Sequence, residues 1–534
     1  MKSLRKYGLM LTTISLLLLT GCEKDFDKIN TNPNNPVDAA TPALFSQAVR
    51  DFAFYDFDVW YAARQSAVAC QHFAQRNYTS EDRYSFRVNV TDGFFRNNYI
   101  WMTNLQKIID LNTDPATKEN YQALYGDNNM QIALAEIMKC WVFQLLTDYF
   151  GDIPYSQALN LEEYPQPVYD SQQDVYDGLI ATLKDAKDKL LSSTTGGFAT
   201  GDLLFNGDLT KWVKFANSLR LRIALRASGQ DSKYVTEALN AIDDGVMESN
   251  ADNAMCLFST PGAPNEAPWY NGYFTSGRND FTYTYRFMEL LKGHNHLTFT
   301  NPFNGIVDPR YKVFTTFDDT TRVGVPYGMP DGTTQRFWNR YSTKRVSLYH
   351  VNPVIVHPDF PSTFLDYPTV CFMVSEVNGW DASWFRKGIE ASLEKWGAED
   401  PGNTYVNAVM AKFNDPATTD EMKKEMVITQ KYIHLLMQPH EAWAEYRRTG
   451  YPKSIVKPGE VTFVDTDGIL GTPGVPYVFY PIAGSESGSD IVARFKYPSS
   501  EYTLNETNVS NAVSRMGEDT HKQKVWWAGG GTQQ

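Results

Sequence analysis

Cysteine is scarce. The 534 residues contain five, with no CxxC pair and no Cys–His spacing of the zinc-site kind. Disulfides among Cys70, Cys140, Cys256 and Cys371 would add little to so long a chain, and Cys140, inside an apolar run, reads as a buried free thiol. Histidine is scarce too, at eight residues, and the close pair His294 and His296 has no carboxylate or thiol at ligand spacing, so it reads as a surface pair and not as a metal site. Basic charge falls short of acidic, 49 against 62, for a net −13, which argues against a nucleic-acid partner because phosphate binding needs a concentrated basic footprint. GxSxG, P-loop and GxGxxG patterns are missing, so no nucleophile elbow or nucleotide cradle is announced. After residue 21 no window reaches the about eighteen apolar residues of a membrane span.

What the chain has in excess is aromatic side chains: 31 Tyr, 31 Phe and 12 Trp make up 14%, more than turns and charged surfaces need, so they imply a thick core, a stacking surface, or both. Its beginning is equally informative. Lys2, Arg5 and Lys6 precede a short apolar stretch, Leu9–Leu19, that ends in Leu19-Thr20-Gly21-Cys22. This is the arrangement of a lipoprotein signal peptide over 1–21, with Cys22 as the lipidated residue, so the lipid would be the only membrane attachment. Its removal takes off three positive charges and moves −13 to −16. Residues 22–40, first charged and then rich in Pro and Asn, read as an extended tether, and 41–534 as one globular unit.

From Thr41 the pattern is helical. Met130–Phe150 is apolar nearly all round and stops at Gly151, which predicts a buried helix with a glycine C-cap. Leu179, Leu183, Ala186 and Leu190 mark an amphipathic helix, and Trp212, Phe215, Leu219 and Ile223 another whose opposite face is basic. A long helix is predicted from about Glu421 to Arg448, disturbed at Pro439, with Gly450 as its C-cap. By contrast, about 255–367 is crowded with Gly, Pro, Asn, Asp and aromatics, and Asp331-Gly332 reads as a turn between short strands. Residues 455–505 form a second irregular stretch, in which Asp465-Thr466-Asp467-Gly468 reads as a turn, because the later ligands of a calcium loop are missing. The architecture expected is mainly α, with long aromatic-rich loops and a few short β-strands. Loops of this length usually have a function.

Those loops carry the candidate site. Trp269, Tyr270 and Asn271 sit in one cluster, Trp338 in another, and Arg83, Tyr84, Phe95 and Asn98 in an earlier region. Sugar rings present C–H faces that pack on aromatic side chains, while Asn and Arg reach their hydroxyls; peptides use similar groups. Phe95, Trp269, Tyr270 and Trp338 are the expected stacking rings, with Arg83, Tyr84, Asn98 and Asn271 as polar contacts. Paired carboxylates could support glycoside hydrolysis, but 62 acidic residues nominate no particular pair.

Eight blocks in order make a resemblance: the lipobox at Cys22, INTNPNNP (29–36), TDYFGDIPYSQAL (147–159), KWVKFANSLRLRIALR (211–226), Asp308-Pro309-Arg310, EAWAEYRRTGYP (441–452), YPSSEYTLN (497–505) and KVWW (524–527). The chain resembles the SusD/RagB family of outer-membrane nutrient-binding lipoproteins, in its second SusD-like branch. The resemblance implies stacked TPR-like helix pairs and no catalytic centre; the residues announce no cofactor and no metal site. It implies a lipid-anchored protein facing the cell exterior, which binds oligosaccharides, or in some branches peptides, as a hinged lid over a SusC-like TonB-dependent transporter. A surface glycoside hydrolase is the competing reading. One departure is visible: Ser375-Glu376-Val377 runs almost directly into Trp384 and Gly388-Ile389-Glu390, so one scaffold helix is expected to be short, leaving apolar faces either open or covered by a rearranged loop.

Overall fold

A computed structural model describes residues 39–262, 265–348, 354–466, 468 and 471–530; the expected signal peptide, Cys22 and nearly all of the expected tether lie outside them. Helices dominate: α1 (Thr41–Tyr55), α2 (Val88–Thr113), α3 (Lys118–Tyr125), α4 (Asn128–Phe150), α5 (Gln172–Leu191), α6 (Leu209–Ala227) and α7 (Ser232–Asp243) come first. Each of α1, α4, α5, α6 and α7 packs against its neighbour in the series, with α2 bridging α1 and α4. The apolar spacings imply the individual helices, and their stacking in pairs is what the family resemblance implies. The central helix α4 starts on the Asp127 carboxylate, which accepts from Asn129 N–H, and ends where Gly151 takes φ +86°. In α5, Leu179, Leu183, Ala186 and Leu190 all point inward.

The second half adds α8 (Tyr285–Leu291), α9 (Arg310–Thr315), α10 (Asp331–Arg340), α11 (Tyr367–Val377), α12 (Ala382–Trp396), α13 (Thr404–Phe413), α14 (Asp420–His434) and α15 (Pro439–Thr449). Helix α11 lies on α6 and pairs with α12 and α14. The long helix expected across 421–448 is two helices. Proline at 439 cannot donate to the ladder, and the chain restarts there, ending at Gly450 with φ +74°. Asp331-Gly332 does not join strands: Asp331 opens α10, which buries Thr334, Phe337 and Trp338. Strands are short and paired two by two: β1 (Phe73–Gln75) with β5 (Phe281–Tyr283), β2 (Ile153–Pro154) with β3 (Tyr169–Asp170), β4 (Ala254–Cys256) with β6 (Ser362–Leu365), and β7 (Val461–Asp465) with β8 (Val475–Val478). Asp465 thus ends β7, paired with Val475, and Thr466 begins the β7–β8 connection. Cys70, Cys140, Cys256 and Cys371 are buried free thiols.

The short helix at 375 leaves no open apolar face. Residues 378–381 turn directly into α12: Asp381 N–H donates to Ser375 O at 2.9 Å, Ser375 Oγ–H donates to Asp381 O at 2.8 Å, and the Asp381 carboxylate caps Trp384 N–H. Trp380 and Trp384 pack half-buried against the core, and no large exposed apolar side chain is found from 367 to 413 among the described residues.

The family-like blocks converge in space. The basic face of α6 looks into protein, not water. Arg226 meets Asp148 of α4 and Glu441 of α15, both at 2.5 Å, and Arg222 donates to Gln144 Oε1 at 2.8 and 3.0 Å. Trp527, from the last block, donates through Nε1 to Asp148 at 2.9 Å, and Lys431 reaches Glu445 at 2.9 Å. Arg448 forks onto Glu376, with both contacts at 2.7 Å. Four sequence blocks, the outermost 379 residues apart, are thus locked together by buried ionic hydrogen bonds, which demand one geometry.

Buried histidines give the fold a pH dependence. His72 is fully buried, stacks on Tyr432 at 4.2 Å, and its Nε2–H donates to Tyr432 O at 2.9 Å; burial pushes its pKa down to about 3 against the small opposing effect of that hydrogen bond. Between the ordinary value of about 6.5 and 3, the unfolded chain takes up a proton that the folded one refuses, so acidification removes stability. In His72→Gln, stability measured by urea unfolding should fall less steeply between pH 6 and 4, by about 1.4 kcal/mol per pH unit relative to wild type.

Candidate ligand face

Strands β1 and β5 run antiparallel, so the chain leaves β1 at Arg76 beside the point where it enters β5 from Asp280; Arg76 N–H donates to Asp280 O at 2.7 Å. Two loops and α10 meet at this end. The Arg76 guanidinium donates through Nε to Asn279 O at 2.7 Å and through Nη2 to Asn279 Oδ1. Gln335 of α10 donates to Arg76 O at 3.0 Å and to Asn77 Oδ1, and Asp331 Oδ1 accepts from Tyr78 N–H at 2.9 Å. Tyr78 itself has φ +57° and is 57% exposed. A left-handed backbone at a bulky residue is costly, and here the clamps from α10 hold it. The result is an aromatic ring standing in solvent on a fixed support.

The second loop is built on Trp269. That ring is buried, 4.6 Å from Phe73 and stacked on Tyr273 at 5.9 Å, while Tyr273 Oη donates to Phe281 O at 2.5 Å. A helical turn, Pro268–Tyr270, runs into a π-helical turn, Asn271–Thr275. Single π turns are frequent at functional sites because they re-aim side chains. Here Tyr270 and Phe274 come together with ring centroids 4.9 Å apart, both half-buried. Asn271 Nδ2 donates to Glu266 Oε1 at 2.7 Å. Gly272 lies against the turn that follows α1: a Cβ there would stand 2.4 Å from Val59 Cγ2. Trp338 completes the end, with Arg76 over its ring at 5.1 Å and Arg345 at 4.3 Å.

The eight residues chosen from sequence therefore fall in three places. Trp269, Tyr270, Asn271 and Trp338 share the β1–β5 end, but Trp269 and Trp338 are at 3% and 5% exposure, so they support the face and offer no open ring. Tyr84 is buried too, edge-on to Phe479 at 5.3 Å, on the wall of a separate cavity of about 600 Å³ that includes Phe86, Tyr497 and Tyr502. Arg83 is half-buried beside it, its carbonyl accepting from Ile482 N–H at 2.9 Å. Phe95 and Asn98 correct the expectation most clearly. They lie on the inner face of α2, Phe95 against Tyr99 and Phe150 and Asn98 donating to Asp56 Oδ1 at 3.0 Å, so in this conformation neither is available to a ligand. Sequence reasoning passed over Arg76, Asn77, Tyr78 and Asn279, which carry no periodic signal. The Arg-Asn-Tyr-Thr-Ser run at 76–80 is a loop composition, and that was the available hint.

Two constellations bear on catalysis. His434 joins Ser392 Oγ at 2.8 Å through Nδ1 and Asp366 Oδ2 at 3.0 Å through Nε2, the composition of a nucleophilic triad. All three are fully buried, Arg310 donates to the same Ser392 oxygen at 2.8 Å, and Asp366 is also held by Lys395 and Gln438. Burial alone would raise Asp366, but His434 and Lys395 hold it well below the carboxylate range. A hydroxyl with no access and an occupied acceptor is a structural tie, not a nucleophile. At the β1–β5 end the carboxylates are likewise engaged: Glu266 with Asn271 and Gly262 N–H, Asp331 with Tyr78 N–H, and Asp280 with Arg64. His294 is exposed and bonded to Glu289 at 2.8 Å, and among the described residues no group of three or more His, Cys, Asp or Glu is placed to hold a metal ion.

Comparison with known proteins agrees with this architecture. A family model described as starch-binding and associating with the outer membrane, SusD-like in its second form, matches residues 33–464, and one described as SusD and RagB outer membrane lipoprotein matches 401–528. Among curated proteins none matches. Of solved structures, a chitin-binding protein is 25% identical over 91% of this chain and 99% of its own, with a TM-score of 0.68. A SusD homologue from Bacteroides uniformis is 22% identical over 92% and 99%, with a TM-score of 0.69. A chitin-binding SusD homologue from Flavobacterium johnsoniae is 21% identical over 92% and 99%, with a TM-score of 0.70. With a helical stack along its length and a family match over most of its residues, the chain belongs to the SusD-like family of proteins associated with the outer membrane.

Proposed function

We propose that this protein captures oligosaccharides outside the outer membrane, anchored by lipid at Cys22, and passes them as a hinged lid to a SusC-like TonB-dependent transporter without chemically altering them. The observation that carries the reading is the exposed Tyr78 ring on its rigid support, at the end of the β1–β5 pair where Tyr270 and Phe274 are also presented. Flat rings flanked by amide and guanidinium donors suit the alternating C–H faces and hydroxyls of a sugar chain. The family description and the chitin-binding relatives support that ligand class. The engaged state of the carboxylates at this end supports capture over hydrolysis, which needs a free acid and a free base or nucleophile.

The test is binding of the soluble protein, starting at residue 23, to chitin- and starch-derived oligosaccharides and to peptides, with product analysis in the same samples. Retention of intact sugar is expected. Retention of peptides alone, or appearance of shortened sugars, would overturn the reading. The contact at Gly272 gives a finer check. Gly272→Ala drives a methyl into Val59, so the turn carrying Tyr270 and Phe274 must shift. Affinity is expected to fall about tenfold, while the unfolding free energy measured in urea falls by about 1–3 kcal/mol.

A further inference from the structure

The charge at the ligand face runs against the charge of the chain. The protein carries −13 overall, yet residues 331–345 hold Arg336, Arg340, Lys344 and Arg345 against a single acid, Asp331. Arg76 and Arg278 add to the same end, since Arg76 is hydrogen-bonded to Asn279, next to Arg278. Most of these cations lack a carboxylate. Among the described residues Arg76, Arg336, Arg340, Lys344 and Arg345 form no ion pair, and Arg278 reaches only Asp280, at 3.9 Å, which Arg64 already holds at 3.3 Å. Arg76 and Arg345 both lie over the Trp338 ring, which binds cations through its π face but leaves their charge uncompensated. Burial first, and then the nearby Arg76, lowers the Arg345 pKa, the mark of two cations sharing one place. Arg336 and Arg340 repeat at four residues on the exposed side of α10, a like-charge spacing that weakens a helix. Most other arginines among the described residues do have a carboxylate, as at Arg220, Arg226 and Arg448; the exceptions, Arg50, Arg83, Arg96, Arg286 and Arg447, are scattered over several elements and are not gathered on one helix and its loop.

We propose that the oligosaccharide taken at this face is anionic, bearing carboxylate or sulfate groups. The inference rests on the capture reading above and adds the class of sugar. Neutral glycans can use these guanidiniums only as ordinary hydrogen-bond donors to hydroxyls, whereas carboxylates and sulfates accept their forked N–H donors in charge-assisted pairs, roughly twice as strong, and also neutralise their charge. A cationic patch on an acidic protein also concentrates anionic ligands at one place and repels them from the rest.

Isothermal titration of the soluble protein with four length-matched ligands tests this: an oligouronate, a sulfated oligosaccharide, a chitin oligomer and a starch oligomer, at 50 and 300 mM NaCl. At least one anionic ligand should bind about tenfold or more tighter than both neutral ones and lose most of that advantage at the higher salt. Arg345→Gln should lose it as well. Because Arg345 also packs on Trp338, the exposed double variant Arg336→Gln with Arg340→Gln serves as a second test; it should lower anionic affinity about threefold to tenfold and leave the melting temperature unchanged. Tight, salt-independent binding of a neutral oligomer would overturn the anionic assignment and leave capture standing. Binding of no oligosaccharide from either class would overturn both.

Discussion

Arg226→Met is expected to cost about 3–5 kcal/mol of stability, a large share of the about 5–15 kcal/mol by which folded domains are ordinarily stable. Arg226 is 2% exposed and stands between Asp148, Glu441 and Glu445, at 2.5, 2.5 and 3.5 Å. Methionine fills much of the volume but leaves three buried carboxylates with too little positive charge, and breaking one side of a buried pair costs far more than the pair is worth intact. The surface pair Lys233–Asp177, both side chains nearly half exposed, is the internal control: Lys233→Ala should cost under about 1 kcal/mol. Urea unfolding of both variants checks the contrast. Near-equal midpoints would mean that the buried network does not hold α4, α6 and α15 together.

The same network sets an acid limit. Burial alone would raise Glu445, but Arg448, Lys431 and Arg226 outweigh it and hold the carboxyl well below its ordinary 4.5. A group depressed in the folded state stabilises it fully above the unfolded value. That contribution disappears as the pH falls from about 4.5 toward the folded value, because the unfolded chain takes up the proton first.

The second large effect belongs to the ligand face. Tyr78→Ala combined with Tyr270→Ala should weaken oligosaccharide binding by about 100-fold, at roughly tenfold or 1.4 kcal/mol for each stacking ring. Tyr78 is 57% exposed and its contacts to α10 run through the backbone, so losing its ring should barely alter the melting temperature. Titration of the double variant and each single one provides the cycle. Unchanged affinity in the double variant would remove the β1–β5 end from the binding mechanism.

Much of the scaffold was legible because helices announce themselves twice, by spacing and by ends. The 179–190 and 212–223 repeats, Gly151 and Gly450 all appear where expected. The break at Pro439 and the helix at Asp331 were misread for physical reasons. A proline between two helices looks like a kink in one long one, and an Asp-Gly pair serves a hairpin or a helix start equally well. The site was legible in part. Trp269, Tyr270, Asn271 and Trp338 do meet, but a buried supporting ring and an exposed contacting ring have the same one-letter code, which is why Phe95 was placed on the surface and belongs to the core. Tyr78 was missed because what makes it prominent is a positive φ and two clamps from a helix 250 residues away, and no short window of sequence contains both.

The most direct measurement is a crystal structure of the soluble protein with an oligosaccharide it retains in solution. Continuous sugar density against Tyr78 and Tyr270, with every glycosidic bond intact, is the predicted result. Density instead in the cavity walled by Tyr84 and Tyr502, with Tyr78 left bare, would contradict the account at its centre.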